Sequence, residues 1–455
     1  MTWIHRFLFF TLFFSSIIGE EKKNKHFLDD VKLGAFKLRS VGPALTSGRV
    51  SDFAVRPDKR HEYYVATASG GVWKTIDGGA TYKPVFDKQG SYSIGCITMD
   101  PNNPYTIWVG TGENNNQRSV GYGDGIYRSK DGGKTWEHKG LKDSQHIAKI
   151  IVDPRNSDIV FVAAIGPLWN EGGDRGLYKT KDGGKTWESK IEVDEHTGVT
   201  DLVMDPHNPD VLYAATYQRR RHVFTWMSGG PGSGLYKSTD GGENWHQLKT
   251  GLPSSIIGRI GLAISPANSD VVYAITEAMD DQQGLYRSSN RGASWTKMSK
   301  YVTSGNYYQE IVAHPTEVNT VYSLSTYNMV TYDGGKTFGR LGEKNKHVDN
   351  HVMWIDPNDT DYLLVGCDGG IYESFDRGKN WLYKENLPVT QFYKVTVDND
   401  LPFYNIYGGT QDNYSLGGPS RTQSRNGIAN EDWFVTLGGD GFESAVDPDN
   451  PNIVY

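Results

Sequence analysis

Ser129-Lys130-Asp131-Gly132-Gly133-Lys134-Thr135-Trp136 is one of seven near-identical copies along a 455-residue chain, and that recurrence decides the architecture. The others run Thr75 to Tyr82, Thr180 to Trp187, Ser238 to Trp245, Ser288 to Trp295, Thr331 to Phe338 and Ser374 to Trp381. Their acidic positions, Asp77, Asp131, Asp182, Asp240, Asn290, Asp333 and Asp376, lie 54, 51, 58, 50, 43 and 43 residues apart. A period of about 40 to 50 residues without helical periodicity is that of propeller blades. Each copy reads as a hairpin turn. The hydroxyl and carboxylate accept backbone N–H bonds, the glycines supply positive φ, and the closing aromatic starts the next strand and buries its ring. These acids are therefore structural and are not seven metal or catalytic centres.

A second signal fixes strand order. Apolar runs end in Pro turns at Asp100-Pro101, Asp153-Pro154, Asp205-Pro206 and Asp447-Pro448, with weaker copies between them. Each unit then reads as strand A, Pro turn, strand B, a variable loop, strand C, Asp turn and strand D. The expected fold is all-β, a propeller of four-stranded antiparallel blades. Successive turns of such a blade alternate between rims. The Pro and Asp turns thus share one regular rim, and the B-to-C and D-to-A loops share the other. The B-to-C connection is long in four adjacent units, over 112–125, 165–176, 217–234 and 277–284, and a ligand is expected on the crescent these make.

The start, Met1 to Gly19, has a basic residue followed by an apolar stretch too short to span a bilayer, and reads as a cleaved signal peptide. Residues 36–390 then hold seven repeat units. From Gln391 the Asp turn lapses, and 391–455 read as further blades ending within a ninth unit, which suits either a second propeller or one larger ring. Two cysteines, Cys96 and Cys367, sit in strands as small buried side chains. Net charge −7 argues against a nucleic-acid partner. No cofactor motif is present, and no retained membrane span is expected. The localisation this implies is secreted, periplasmic or cell-surface.

The repeated turn is the Asp box, or BNR repeat, and residues 36 to 455 resemble the Asp-box propellers of sialidases, xyloglucanases and sortilin-type ectodomains. Arg39-Ser40-Val41-Gly42-Pro43, Gly48-Arg49-Val50, Gly110-Thr111-Gly112-Glu113-Asn114, His347-Val348-Asp349-Asn350-His351, Gly408-Gly409-Thr410-Gln411-Asp412-Asn413 and Gly438-Gly439-Asp440-Gly441-Phe442 resemble large secreted bacterial proteins related to the sortilin N-terminal domain. The resemblance implies recognition of a protein, peptide or glycan on the B-to-C loop face or in the channel, without chemistry of its own. A glycoside hydrolase acting on extracellular polysaccharide is the alternative, and a cell-envelope assembly module a third. The arginine motif that opens sialidases has no counterpart here. Hydrolysis would need two carboxylates across a cleft; the acids available on the irregular rim include Glu113, Glu171, Asp174 and Glu277. The expected ligand-contacting set is Arg49, Glu113, Gln117, Arg118, Trp169, Arg175, Arg219, Trp226, Arg259, Gln411 and Asp412. His347, Asp349 and His351, at i, i+2 and i+4, present three metal-ligating side chains on one face of a strand or its lead-in, and a polar channel-lining cluster is the competing reading.

Overall fold

The structure, a computed structural model, describes residues 37–43 and 45–455; the signal-peptide reading of residues 1–19 falls outside them. Residues 37–40 carry no regular element, and Val41–Tyr455 form one compact unit. That unit is a β-propeller built from antiparallel sheets. Sheet one pairs Val50–Val55, Tyr63–Thr67, Val72–Thr75 and Lys83–Pro84 in chain order. The same A-B-C-D order repeats in sheets two to eight, over 94–138, 147–191, 197–248, 257–299, 310–340, 350–383 and 392–437. Sheet four adds a fifth strand, Trp226–Ser228, paired to the far end of its strand B, Leu212–Arg221.

Seven buried clusters join the first seven sheets in a ring. Ile94, Ile97 and Val109 of sheet two pack on Ala54, Tyr64 and Ala66 of sheet one, and the pattern continues around to Met353, Leu363 and Val365 of sheet seven against Tyr322 and Leu324 of sheet six. The last cluster closes the circle, because Tyr362, Leu364 and Ile371 of sheet seven pack on Val50, Phe53 and Val65 of sheet one. Sheet eight contributes to none of these clusters. Its Val395, Val397, Phe434 and Leu437 are 50–69% exposed, where equivalent positions inside the ring are covered by the next blade.

The seven Asp turns have one geometry. In the second, Ser129 Oγ donates to Asp131 Oδ1 at 2.8 Å and accepts from Gly133 N–H at 2.8 Å, while Asp131 takes Thr135 N–H at 2.9 Å and Thr135 Oγ1 at 2.6 Å. Gly132 and Gly133 sit at φ 73° and 87°. The following aromatic stitches neighbouring blades. Trp136, Trp187 and Trp381 each donate Nε1–H to a carbonyl near the end of the preceding blade, Val85, Lys139 and Gly342, at 2.6–2.7 Å. Every Asp turn also hydrogen-bonds the A-to-B turn of its own blade, as Gly132 N–H does to Tyr105 O at 2.8 Å and Gly183 N–H to Asp158 O at 3.0 Å. The regular rim expected from the sequence is thus a single rim.

The inner strands surround a cavity of about 500 Å³ faced by Asp52, Lys149, Asp201, Arg259 and Glu310 from five sheets. Strand A bulges at the same place in most blades, between Val50 and Asp52, Ile94 and Cys96, Val199 and Asp201, Asn350 and Val352. A bulge re-aims the residue beside it. In sheets one and four the re-aimed residue is a carboxylate that clips the next blade: Asp52 accepts Ile97 N–H at 2.9 Å, and Asp201 accepts Leu262 N–H at 2.7 Å.

Candidate functional site

The second rim differs from the open crescent expected. Its long connections fold over the end of the bore and bond one another. Loop 112–125 reaches the segment between sheets five and six, where Asn116 N–H meets Asn306 O at 2.9 Å and Asn116 Nδ2 meets Gly305 O at 3.2 Å. Arg219, fully buried, donates to Asn115 O at 3.0 Å and Gly166 O at 3.1 Å. Arg175 is likewise buried and spends its guanidinium on the carbonyls of Gly172, Ile165, Pro167 and Asn170. Both arginines, expected to contact a ligand, instead brace loop backbone, because a buried loop carries carbonyls that need donors.

Beside this plug, where sheet seven meets sheet one, a charged centre assembles from five separate parts of the chain. Asp368, 2% exposed, follows strand B of sheet seven. It accepts Arg49 Nε at 2.6 Å and Nη2 at 3.1 Å, His351 Nε2 at 2.7 Å and Tyr307 Oη at 2.6 Å. Arg49 enters from the start of sheet one. It also donates to Glu113 Oε2 at 3.0 Å and touches Tyr307, whose ring lies 4.8 Å beneath its guanidinium. Asn115 Nδ2 adds 2.9 Å to the same Glu113 oxygen. Burial works to raise the Asp368 carboxyl, yet Arg49 and His351 hold it well below the usual range.

Asp412, in the B-to-C turn of sheet eight, completes the centre and is its most accessible acid, with a side chain 29% exposed, 3.7 Å from Arg49 Nη2. Burial first, then the hydrogen bond and negative charge of Asp368, push its carboxyl up to about 7. Its backbone is left-handed at φ 62°, as is Tyr414 at 75°, a conformation that costs energy away from glycine. Asp440 Oδ1 holds that turn by accepting Asp412 N–H at 2.8 Å, and Asn413 ties it to Asp368 O at 2.9 Å. Two adjoining carboxyls with opposite protonation preferences can divide acid and base roles, and a structural ion-pair network produces the same split.

The structure therefore brings together Arg49, Glu113, His351 and Asp412 of the expected residues. It separates the rest. Glu171 pairs with Arg220 at 2.7 Å, Asp174 takes Asp143 N–H at 3.0 Å, and Glu277 takes Gly305 N–H at 2.7 Å, so these acids form no facing pair with Glu113. Gln117, Trp169 and Gln411 are half-buried and Arg118 is exposed. Trp226 lies 4.8 Å from the Arg221 guanidinium, and Arg259 faces the bore. The His347-Asp349-His351 triplet does not converge on an ion: His347 Nδ1 bonds Val348 O, Asp349 bonds Tyr308 Oη, and His351 bonds Asp368. Among the described residues, the trio whose ligand atoms do lie within 4.8 Å of one another is Glu171, Glu195 and His196, at the surface. Asp368, Tyr307 and Asp440 were not singled out from sequence. Asp440 stood inside a quoted motif, and Asp368 stood beside Cys367 in a short turn that gives no local sign of its partners.

A family model described as sortilin, neurotensin receptor 3 (Sortilin-Vps10) matches residues 124–232. Among curated proteins the chain is 25% identical over 304 residues to xyloglucanase Xgh74A of Acetivibrio thermocellus, covering 61% of this chain and 32% of that one. It is 24% identical over 357 residues to a probable oligoxyloglucan-reducing end-specific xyloglucanase of Neosartorya fischeri, covering 68% and 41%. The chain thus spans about a third to two fifths of the length of these relatives. Among solved structures, the GH74 xyloglucanase of Xanthomonas campestris aligns with TM-score 0.59 at 14% identity, over 83% of this chain and 59% of that one. An ancestral GH74 enzyme aligns with TM-score 0.51 at 16% identity, over 92% and 67%. These likenesses place the fold among sortilin-like and xyloglucanase-like β-propellers.

Proposed function

We propose that the chain is a carbohydrate-directed propeller of the glycoside hydrolase type, acting outside the cell on a polysaccharide of the xyloglucan class, with Asp412 as its proton-donating carboxyl. The observation that carries this reading is the Asp412–Asp368 pair: one carboxyl is tied to three donor side chains and ionised, and its neighbour is partly exposed and pushed up to about 7. A carboxyl that keeps its proton near neutrality can protonate a departing glycosidic oxygen. The matches to xyloglucanases supply the substrate class and favour hydrolysis over binding alone.

Asp368 is not the second catalytic carboxylate. It touches Asp412, whereas a working pair stands roughly 5 Å or more apart with the sugar between. Its part is to hold the proton on Asp412, with Arg49, His351 and Tyr307 fixing its own position. Asp440, whose Oδ1 accepts Asp412 N–H at 2.8 Å, positions the turn that carries Asp412. Recognition without chemistry is the second reading. It is favoured by that close Asp368–Asp412 contact and by the commitment of Glu171, Asp174 and Glu277 to other partners.

Release of reducing ends from xyloglucan and a panel of other β-glucans tests the proposal. Asp412→Asn should lower turnover by roughly 10²- to 10⁴-fold, with polysaccharide retardation in affinity gels unchanged. Retardation by wild-type protein with no release on any glucan would replace hydrolysis by recognition. Neither release nor retardation would leave the assembly-module reading.

A further inference from the structure

The bore is lined by charges of alternating sign. Around the ring, sheet one contributes Asp52, sheet three Lys149, sheet four Asp201, sheet five Arg259 and sheet six Glu310. Asn114, on the connection that folds over one end, lines it there, while Pro206 and Pro266 of the A-to-B turns line the other. A second hollow of about 630 Å³, bounded by Pro57, Pro101 and Pro104 at neighbouring A-to-B turns, shares Asp52, Lys149 and Trp354 with the first. The way in is therefore from the regular rim, opposite the loops that plug the bore.

These charges are held apart rather than paired. Asp52 is pinned by Phe53 and Ile97 N–H at 2.8 and 2.9 Å, and Asp201 by Leu202 and Leu262 N–H at 2.8 and 2.7 Å. Glu310 Oε1 takes Asn114 Nδ2 at 3.5 Å. Arg259 sits where strand A of sheet five shifts register, between Ile257 and Ile260, and is 3% exposed. Its N–H donates to Glu277 Oε2 and its C=O accepts from Gln309 Nε2, both at 3.2 Å. Among the described residues its guanidinium has no hydrogen-bond acceptor and no carboxylate within ion-pair distance, and the same holds for the Lys149 ammonium. Arg175 and Arg219 fill their donors with carbonyls, whereas a buried guanidinium without acceptors is costly. Arg259 is thus placed for something that enters the bore.

We propose that the bore binds a small neutral saccharide, a mono- or disaccharide, with Arg259 and Lys149 donating to its oxygens and Glu310, Asp52 and Asp201 accepting from its hydroxyls. Three carboxylates against two cations disfavour an anion, and a cation would leave Arg259 unserved. A hydroxyl both donates and accepts, so a sugar satisfies a wall of mixed sign without adding charge. Trp354, half-buried on the same wall, offers a flat apolar face to the C–H side of a sugar ring. The volume of about 500 Å³ lies within the range of small-molecule sites. This site is independent of the Asp412 centre.

Titration calorimetry of the full chain with glucose, galactose, xylose and cellobiose, and with glucuronate, glycine and calcium chloride as contrasts, is the test. Wild-type protein should bind at least one of the neutral sugars at a single site. Arg259→Gln should weaken that binding at least about tenfold and leave the sugar-free melting temperature unchanged, because the guanidinium holds no other group. Glu310→Gln, which keeps the shape of the side chain, should weaken it as well, and it decides the matter where Arg259→Gln melts lower. Reducing-end release from polysaccharide should be the same in Arg259→Gln as in wild type, which separates this site from the Asp412 centre. The proposal is overturned if no neutral sugar binds, if glucuronate, glycine or calcium binds in their place, if the variants bind sugar as well as wild type, or if Arg259→Gln loses reducing-end release along with sugar binding.

Discussion

Asp412→Asn tests the protonation of the charged centre without a substrate. The Asp412 carboxyl moves from an unfolded value of 3.8 to about 7 in the folded protein. A raised carboxyl means that the folded state holds its proton more tightly than the unfolded chain does. Stability is therefore unaffected below about pH 4 and falls as pH climbs from there through 7, after which the penalty is constant. Three units would be worth roughly 4 kcal/mol at full strength. The side chain is 29% exposed and its charge is partly screened, so about 1–2 kcal/mol is the working figure. Asparagine keeps the shape of the protonated acid and cannot ionise, so the variant should be more stable than wild type at pH 8 and equal to it at pH 4. For a cooperative unit of this size a kilocalorie moves the melting temperature by about 1 °C. A rise of about 1–2 °C at pH 8 that vanishes at pH 4 is the expected scanning-calorimetry result. Equal melting at both pH values, or a loss at pH 8, would show that Asp412 is an ordinary ionised aspartate satisfied by Arg49, and the proton-donor assignment would fall with it.

Three further outcomes follow from the same geometry. Lys149 faces the bore, and although burial opposes its charge, Asp52, Asp201 and Glu310 hold its ammonium above the usual lysine range; Lys149→Met should cost about 3 kcal/mol in urea unfolding, more at pH 8 than at pH 5, because burial already raises all three acids. Trp187→Phe keeps an aromatic side chain but trims the indole that packs on Trp108 and leaves Lys139 O without its 2.6 Å donor, and should cost at least about 1–2 kcal/mol by the same measurement. In the Asp turn, hydrogen bonds from Thr135 hold Asp131 at about 2; Asp131→Ala should melt lower than wild type at pH 7, and the two curves should converge as pH falls through 2.

The blades were legible because each is local. Ser129 and Thr135 stand within a few residues of Asp131, so the turn is written in consecutive positions and its seven copies corroborate one another. The rim assignment followed from the alternation of turns. The charged centre was half legible for the opposite reason. Arg49 meets Asp368 across 319 residues and Tyr307 across 258, and no spacing rule connects them. The motifs that carried the resemblance, around Arg49, Glu113, His351, Asp412 and Asp440, do converge, while the residues chosen for loop length and charge alone do not. Arg175 and Arg219 were expected at a ligand because the long connections look exposed in sequence, and only the fold shows the buried carbonyls that take their guanidinium groups.

The position of the charged centre follows from how the ring closes. Sheet one and sheet seven meet through Val50, Phe53 and Val65 against Tyr362, Leu364 and Ile371, and each sheet supplies its own four strands, so no shared strand bolts the seam. Apolar contact is strong but tolerant of sliding, and a seam that slid would misplace everything on its rim. Arg49 and Asp368 sit across this seam, and the fork of one meets the carboxylate of the other at 2.6 and 3.1 Å. A buried ion pair of that kind contributes little net stability, yet it penalises every arrangement in which either charge is left alone. Tyr307, arriving from the segment between sheets five and six, and Asn413, arriving from sheet eight, bond to the same Asp368. Asp368 thus registers four separate parts of the chain, Arg49, Tyr307 and His351 through its carboxylate and Asn413 through its backbone carbonyl. The tension this creates is carried by Asp412, which must keep its proton beside a neighbour that cannot accept one. On this reasoning the clasp and the chemistry are one device, and Asp368→Asn should return Asp412 toward an ordinary acidity while loosening the seam.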